Sequence, residues 1–353
     1  MSSQTISVPD QALQQTAFQA LADIFMKYEP QTPGSEDLPS SISIEILDSD
    51  SQVPPGQLIL EDESERAVGV PKPVLIAAFL HARQLFKSTP ISEREDPLID
   101  AATKIILLYD PEYLTAANAR KTYLLNMLGM KVAYGPMHSM LLTHAVRKEL
   151  WFLESVLNSP LRRQSKSPTL WWQRAWLFRT FVFPAGEEGG CEILMSTKGD
   201  LMRELDVVLR SAEMHQHNYY AFGYARRILR PAMKIVEQRE TNKADGSTGQ
   251  NWKEILQNMV KWCKRHPSDT SGWSFLGYWM EWRIDDAVRE KAVREVLNFA
   301  VEVRWKGEAL WSFLRTIARL DETNAKGELV LRIREAMENL CPKLLRRPHS
   351  RPD

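Results

Sequence analysis

The chain has 353 residues, with 45 basic and 45 acidic side chains, so its formal net charge is zero. That balance speaks against a protein that neutralises phosphates along a nucleic acid, and 44% hydrophobic residues suit a globular protein with a large core. Three widely spaced cysteines, Cys191, Cys263 and Cys341, form no disulfide framework, and Cys263-x-x-His266 lacks the second pair a zinc site needs.

Residues 11–28 read as one amphipathic helix with Leu13, Phe18, Leu21 and Phe25 near one face. Nothing before it has the basic start and apolar run of a signal peptide, and the longest apolar run, 74–80, is too short to cross a bilayer. A cytoplasmic location is the expectation. After the turn-rich segment 31–41, the runs ISIEIL at 42–47 and QLIL at 57–60 can pair as a small β-hairpin. The acidic run 61–65 is a solvated face, with a docking patch for a basic partner as the alternative. These features set residues 1–70 apart from a helical region, 71–340, and from a basic tail, 341–353, expected to be disordered.

From residue 71 onward helical periodicity dominates. Five stripes recur: Ala101, Ile105, Leu108; Leu150, Leu153, Leu157; Leu201, Leu205, Val208, Leu209; Ile255, Met259, Trp262; and Val293, Val296, Leu297, Ala300. Each is followed by a polar break and a second segment, and aligning these places Ala117, Trp171, Phe222, Trp273 and Trp311 in register. The intervals are 54, 51, 51 and 38 residues, and the last two segments share Trp-Ser-Phe. A helical hairpin that cannot bury its own face must stack on its neighbours, so the expected fold is all-α, a right-handed αα-hairpin solenoid like a tetratricopeptide superhelix. Segments 131–144, 184–190 and 241–250 are loop-like insertions that explain the uneven period.

Ser167-Pro168 suits a helix start, since serine caps and proline fits the first turn. Trp171 then fills the seam between hairpins, and Arg174, one turn on, can reach carboxylates or carbonyls of the adjacent repeat. The segments Lys166-Ser167-Pro168-Thr169-Leu170-Trp171-Trp172-Gln173-Arg174-Ala175-Trp176 and Asn218-Tyr219-Tyr220-Ala221-Phe222, with Arg226, resemble the repeats of protein prenyltransferase alpha subunits. Within that family they are most similar to the geranylgeranyltransferase type III branch. Ala117 stands where the family has tryptophan, Pro168 where it often has tyrosine, and Leu276 where it has arginine.

The resemblance implies a non-catalytic alpha-type subunit with no catalytic residue, metal or cofactor of its own. Its implied partner is a zinc-bearing beta subunit, and the pair would transfer an isoprenoid from its diphosphate to the C-terminal cysteine of a SNARE or Rab-like protein. Lys166 and Tyr219, with Tyr220 beside it, would then face the diphosphate, whose charge grows as it leaves. The alternatives are a surface lysine and a packing tyrosine. Trp171, Arg174, Trp176, Phe222, Arg226, Trp273 and Trp311 would be structural motif residues. The rival class is a tetratricopeptide-like adaptor without an enzymatic role.

Other chemistry finds no matching pattern. Asp285-Asp286 lacks a third aspartate, Gly272 to Gly277 is too long for a nucleophile elbow, and Gly186, Gly189 and Gly190 have no following Lys-Ser/Thr. His215-x-His217 has no third metal ligand nearby.

Overall fold

The computed structural model describes residues 9–31, 40–48, 53–54, 56–91, 96–134, 136–182, 198–241, 251–282, 284–322 and 327–345. The expected tail lies largely outside them, as do the segment 184–190 and nearly all of 241–250.

The chain forms two compact units, residues 1–231 and 232–353, with the division at Pro231. In the first unit, α1 (Gln11–Tyr28) starts at an Asp10 cap and buries Phe18, Leu21 and Phe25. It packs on α2 (Lys72–Ser88) and α3 (Pro97–Tyr109). Between α1 and α2 lies a three-stranded sheet of β1 (Ser43–Leu47), β2 (Leu60–Asp62) and β3 (Ala67–Pro71), ordered β1-β3-β2.

The expected pairing of 42–47 with 57–60 is corrected. β1 runs parallel to β3, and the hairpin joins β2 to β3 through the acidic run itself. Asp62 makes that turn by accepting from the amides of Ser64 (3.0 Å) and Glu65 (3.1 Å), while Arg66 takes a left-handed φ of 50°. The acidic run is also engaged as well as solvated: Lys27 pairs with Glu61 (2.6 Å) and Glu63 (2.5 Å). Gly69 lets β1 approach, since a Cβ there would stand 2.9 Å from Leu47 Cδ1.

Five helical hairpins follow, as the register requires. They are α3 with α4 (Leu114–Tyr134), α5 (Pro136–Leu157) with α7 (Pro168–Leu177), and α8 (Lys198–Met214) with α9 (Tyr219–Thr241). In the second unit they are α10 (Asn251–Arg265) with α11 (Thr270–Met280), and α12 (Asp286–Glu302) with α13 (Glu308–Glu322). The short α6 (Arg162–Ser165) turns the second corner, a π-helical turn (Phe178–Val182) extends α7, and α14 (Glu328–Leu340) with α15 (Pro342–Leu345) closes the second unit. There α10 packs on α12, α12 on α14, and α11 on α13, the two-layer stacking of a solenoid.

One insertion is corrected: 131–134 is the end of α4 and 136–144 the start of α5, two long helices packed on each other. Composition misled because proline is at home in the first turn of a helix, and Pro136 begins α5. α5 also covers the sheet edge. Ser155 and Ser159 hydroxyls accept from the amides of Ile42 (3.1 Å) and Ile44 (2.7 Å), and the Trp151 indole donates to the Ser40 carbonyl (3.2 Å).

The register positions form the core: Ala117, Trp171, Phe222, Trp273 and Trp311 are all buried. Trp311→Ala should cost about 3–5 kcal/mol in equilibrium chemical unfolding, whereas Trp172→Ala, at a residue 49% exposed, should cost under about 1 kcal/mol. Equal losses would contradict this inside-outside assignment.

Candidate functional site

Three of the five second helices begin at a corner of repeated construction. Four residues before the register position stands the cap: Ser167 accepts from Leu170 N (3.1 Å), Asn218 from Ala221 N (3.2 Å), and Asp269 from Ser271 N (2.8 Å). Six residues before it stands a backbone carbonyl that the register indole reaches. Trp171 Nε1 donates to Ser165 O (2.8 Å), Trp273 Nε1 to Pro267 O (3.0 Å), and Trp311 Nε1 to Trp305 O (2.9 Å).

Phe222 has no indole, and at its corner the Lys166 ammonium supplies the missing donor to Gln216 O at 2.6 Å. Ala117 has none either; the Ser167 hydroxyl lies 3.4 Å from Pro111 O but gives its proton to Glu112 at 2.5 Å. At the Phe222 corner the preceding hairpin thus makes the bond that the degenerate repeat cannot.

Lys166 therefore has a definite structural partner. Its bond ties the second corner to the third, where Tyr219 and Tyr220 begin α9, both exposed. Beside them burial pushes the His215 imidazole pKa down, and the nearby cations Lys166 and Arg162 push it further. The structure brings Lys166 to the corner that precedes the tyrosines, where its ammonium is bonded to the Gln216 carbonyl.

The other motif residues serve packing. Arg174 is buried and donates to Glu204 of the next hairpin through Nε (2.6 Å) and Nη2 (2.8 Å), and to Leu150 O (3.1 Å). Burial alone would lower its pKa, but Glu204 raises it and holds the cation. Tyr224 donates to the same carboxylate (2.5 Å), and burial with that charge raises the phenol pKa well above its ordinary value. Arg120, three residues after Ala117, repeats the arrangement by pairing with Glu149 of the next hairpin. It also bonds Asp100 (2.8 Å) and Thr103 (2.8 Å) on α3. Trp176 is half-buried, edge-on to Phe181 and beneath the Lys121 ammonium, and Arg226 is half-buried on α9.

Inspection of the sequence missed both Glu149 and Glu204, for which the signal was a glutamate 29 or 30 residues after each register arginine. It also missed Trp172, which projects outward beside buried Trp171 and lies under two guanidiniums, Arg179 (5.3 Å) and Arg227 (4.7 Å from the ring centroid).

Among the described residues no group of three or more His, Cys, Asp or Glu could hold a metal ion, and no helix is long and apolar enough to cross a membrane. Cys263 is core: it is fully buried, and burial with the nearby Asp269 charge pushes its thiol pKa well up. His266 lies against Trp262 with ring centroids 4.4 Å apart.

Residues 192–298 match the family described as the ECM9 middle domain, under a third of the chain, from the approach to α8 into α12. No curated protein matches the chain. The family match corrects the resemblance to prenyltransferase alpha repeats. Its physical source is now visible, because the caps, indoles and arginines that carried it are the parts a stacked helical hairpin needs at its corner.

Breaking the Arg174–Glu204 pair from one side should cost about 3–5 kcal/mol, because a buried charge is left alone. Arg174→Met with Glu204→Leu should cost clearly less than the two single losses summed, read by denaturant unfolding. Additive losses would contradict the coupling.

A second expectation concerns acid. Burial works to raise the Asp100 carboxyl pKa, but Lys104 and Arg120 hold it well below the usual carboxylate range. The side chain is 41% exposed, so water screens part of this. A depressed folded pKa means stability that is present above the unfolded value of about 4 and lost as pH falls toward the folded one. Asp100→Asn should therefore be less stable at neutral pH and lose less stability between about pH 5 and 2. Parallel acid limbs would contradict it.

Proposed function

We propose that the chain is a non-catalytic helical-repeat subunit that acts by holding another protein. The observation that supports it is the contrast within the first unit. Its buried ionisable groups are spent on one another across the stack, while Trp172, Tyr219 and Tyr220 stand exposed around the corner that Lys166 ties. Large aromatics beside cations are characteristic of protein interfaces. In this proposal the protein works in the cytoplasm, in keeping with the free thiols Cys263 and Cys341.

One arrangement favours a narrower second reading, in which the held protein is the catalytic, zinc-bearing subunit of a protein prenyltransferase, with geranylgeranyl diphosphate as its isoprenoid donor. Lys166 reaches the corner where exposed Tyr219 and Tyr220 begin α9, and an ammonium and phenols are donors of a kind suited to a diphosphate leaving group. The acceptor would be the C-terminal cysteine of a protein substrate. Without such a partner the chain is an adaptor.

Affinity purification of the full chain from its own cells tests the proposal. A stoichiometric protein partner is expected, and a solitary chain that turns over substrate unaided would overturn it. If the copurified partner carries zinc and the complex transfers labelled geranylgeranyl to a C-terminal cysteine, the narrower reading holds. In that complex Lys166→Ala should weaken isoprenoid diphosphate binding, and unchanged affinity and turnover would remove Lys166 from the diphosphate role.

A further inference from the structure

The exposed face of α7 and α9 has a composition the stack does not use. Trp172 follows register residue Trp171, and the helical turn of roughly 100° per residue carries it to the outer surface. It is 49% exposed, and the guanidiniums of Arg179 and Arg227 lie over its ring at 5.3 and 4.7 Å. Tyr220 lies two turns before Arg227 on one face of α9, also exposed, with Gly223 between them. At Gly223 nothing lies within 4 Å of where a Cβ would stand, so the surface of α9 is open there.

The stretches that form this face carry charge of one sign, and the carboxylate of Glu112 that reaches the start of α7 is bonded to Ser167 and Thr169. No aspartate or glutamate occurs in residues 155–186 or 214–236, the stretches that supply α7, the π-helical turn and the first unit's part of α9. Among the described residues neither Arg179 nor Arg227 has a carboxylate partner, unlike the buried Arg120 and Arg174. Zero net charge over the whole chain makes this a local feature. The cation–π contacts with Trp172 restrain both guanidiniums, so a carboxylate that pairs with them meets donors already gathered at one place.

We propose that Trp172, Arg179, Arg227 and Tyr220 form the docking hot spot for an acidic amphipathic segment of a partner protein. Its carboxylates pair with the two arginines, and an apolar side chain seats over Trp172 and the opening at Gly223. The proposal rests on the subunit reading above and deepens it by assigning the surface and the chemistry of what it holds. Tryptophan, tyrosine and arginine are the residues that dominate protein interfaces, and two restrained guanidiniums select carboxylates.

The test uses the full chain and a fluorescent peptide of glutamate, leucine and phenylalanine, compared by anisotropy with its glutamine-for-glutamate counterpart and with oligouridine. The acidic peptide should bind about tenfold tighter than the neutral one, and weaken as salt rises. Trp172→Ala and the double variant Arg179→Glu/Arg227→Glu should each lose about tenfold of that affinity with unchanged circular dichroism. Equal affinity for both peptides, tighter binding of the oligonucleotide, no binding, or full affinity in the variants would each overturn the proposal. In cells, a double variant that keeps the wild-type partner at full yield would sink this surface while leaving the subunit reading intact. A wild-type chain with no stoichiometric partner would sink that reading.

Discussion

A backbone carbonyl at each hairpin corner is the constraint on which the rest of the structure depends. Where the chain turns into a second helix, the carbonyl six residues before the register position is left without a helical partner. Away from water an unpaired polar group there costs free energy, so the protein supplies a donor. Three corners solve this with the indole of the residue that also fills the seam, so one side chain both packs and bonds. The Phe222 corner lacks an indole and borrows Lys166 from the preceding hairpin. There the apparent decay of the repeat is compensated across hairpins.

Charge provides the second coupling in the first unit. A buried arginine three residues past the register position pairs with a glutamate on the first helix of the next hairpin, once as Arg120–Glu149 and again as Arg174–Glu204. Such pairs do little for net stability, because desolvation offsets much of the attraction, but they penalise any slip in stacking that would strand a charge. The second unit uses aromatic surface instead: Trp273 lies 5.0 Å from Phe313 between ring centroids, and the Trp279 indole donates to Trp252 O. Phe275 and Trp279 extend that cluster.

Helix periodicity and the register tryptophans made the hairpins legible, because a buried aromatic and its cap recur at fixed spacing for a steric reason. What stayed hidden depended on partners distant in the chain. Glu149 and Glu204 look like surface glutamates until Arg120 and Arg174 are brought to them. The sheet pairing was hidden because 57–60 has the composition of a strand, whereas the Asx turn at Asp62 folds 67–71 back on β2 and β1 joins the other side of β3 in parallel. The candidate site was only half legible. Lys166 stood out through a motif, but its bond to Gln216 depends on the absence of an indole at Phe222. Trp172 was overshadowed by its neighbour Trp171, and the family likeness drawn from these same residues reflected hairpin mechanics and not descent.

The outward face of α7 and α9 is the surface proposed to meet another protein, so the corner geometry bears on both the fold and the proposed function. It is tested most directly by a double-mutant cycle at the third corner, Lys166→Met against Phe222→Trp, read by denaturant unfolding of the full chain. A tryptophan at 222 offers the indole that the other corners use, so the account predicts that it recovers about 1 kcal/mol more in the Lys166→Met background than in the wild type, whatever strain the larger ring adds to both. An identical effect of Phe222→Trp in the two backgrounds would mean that the Gln216 carbonyl needs no donor, contradicting the central claim.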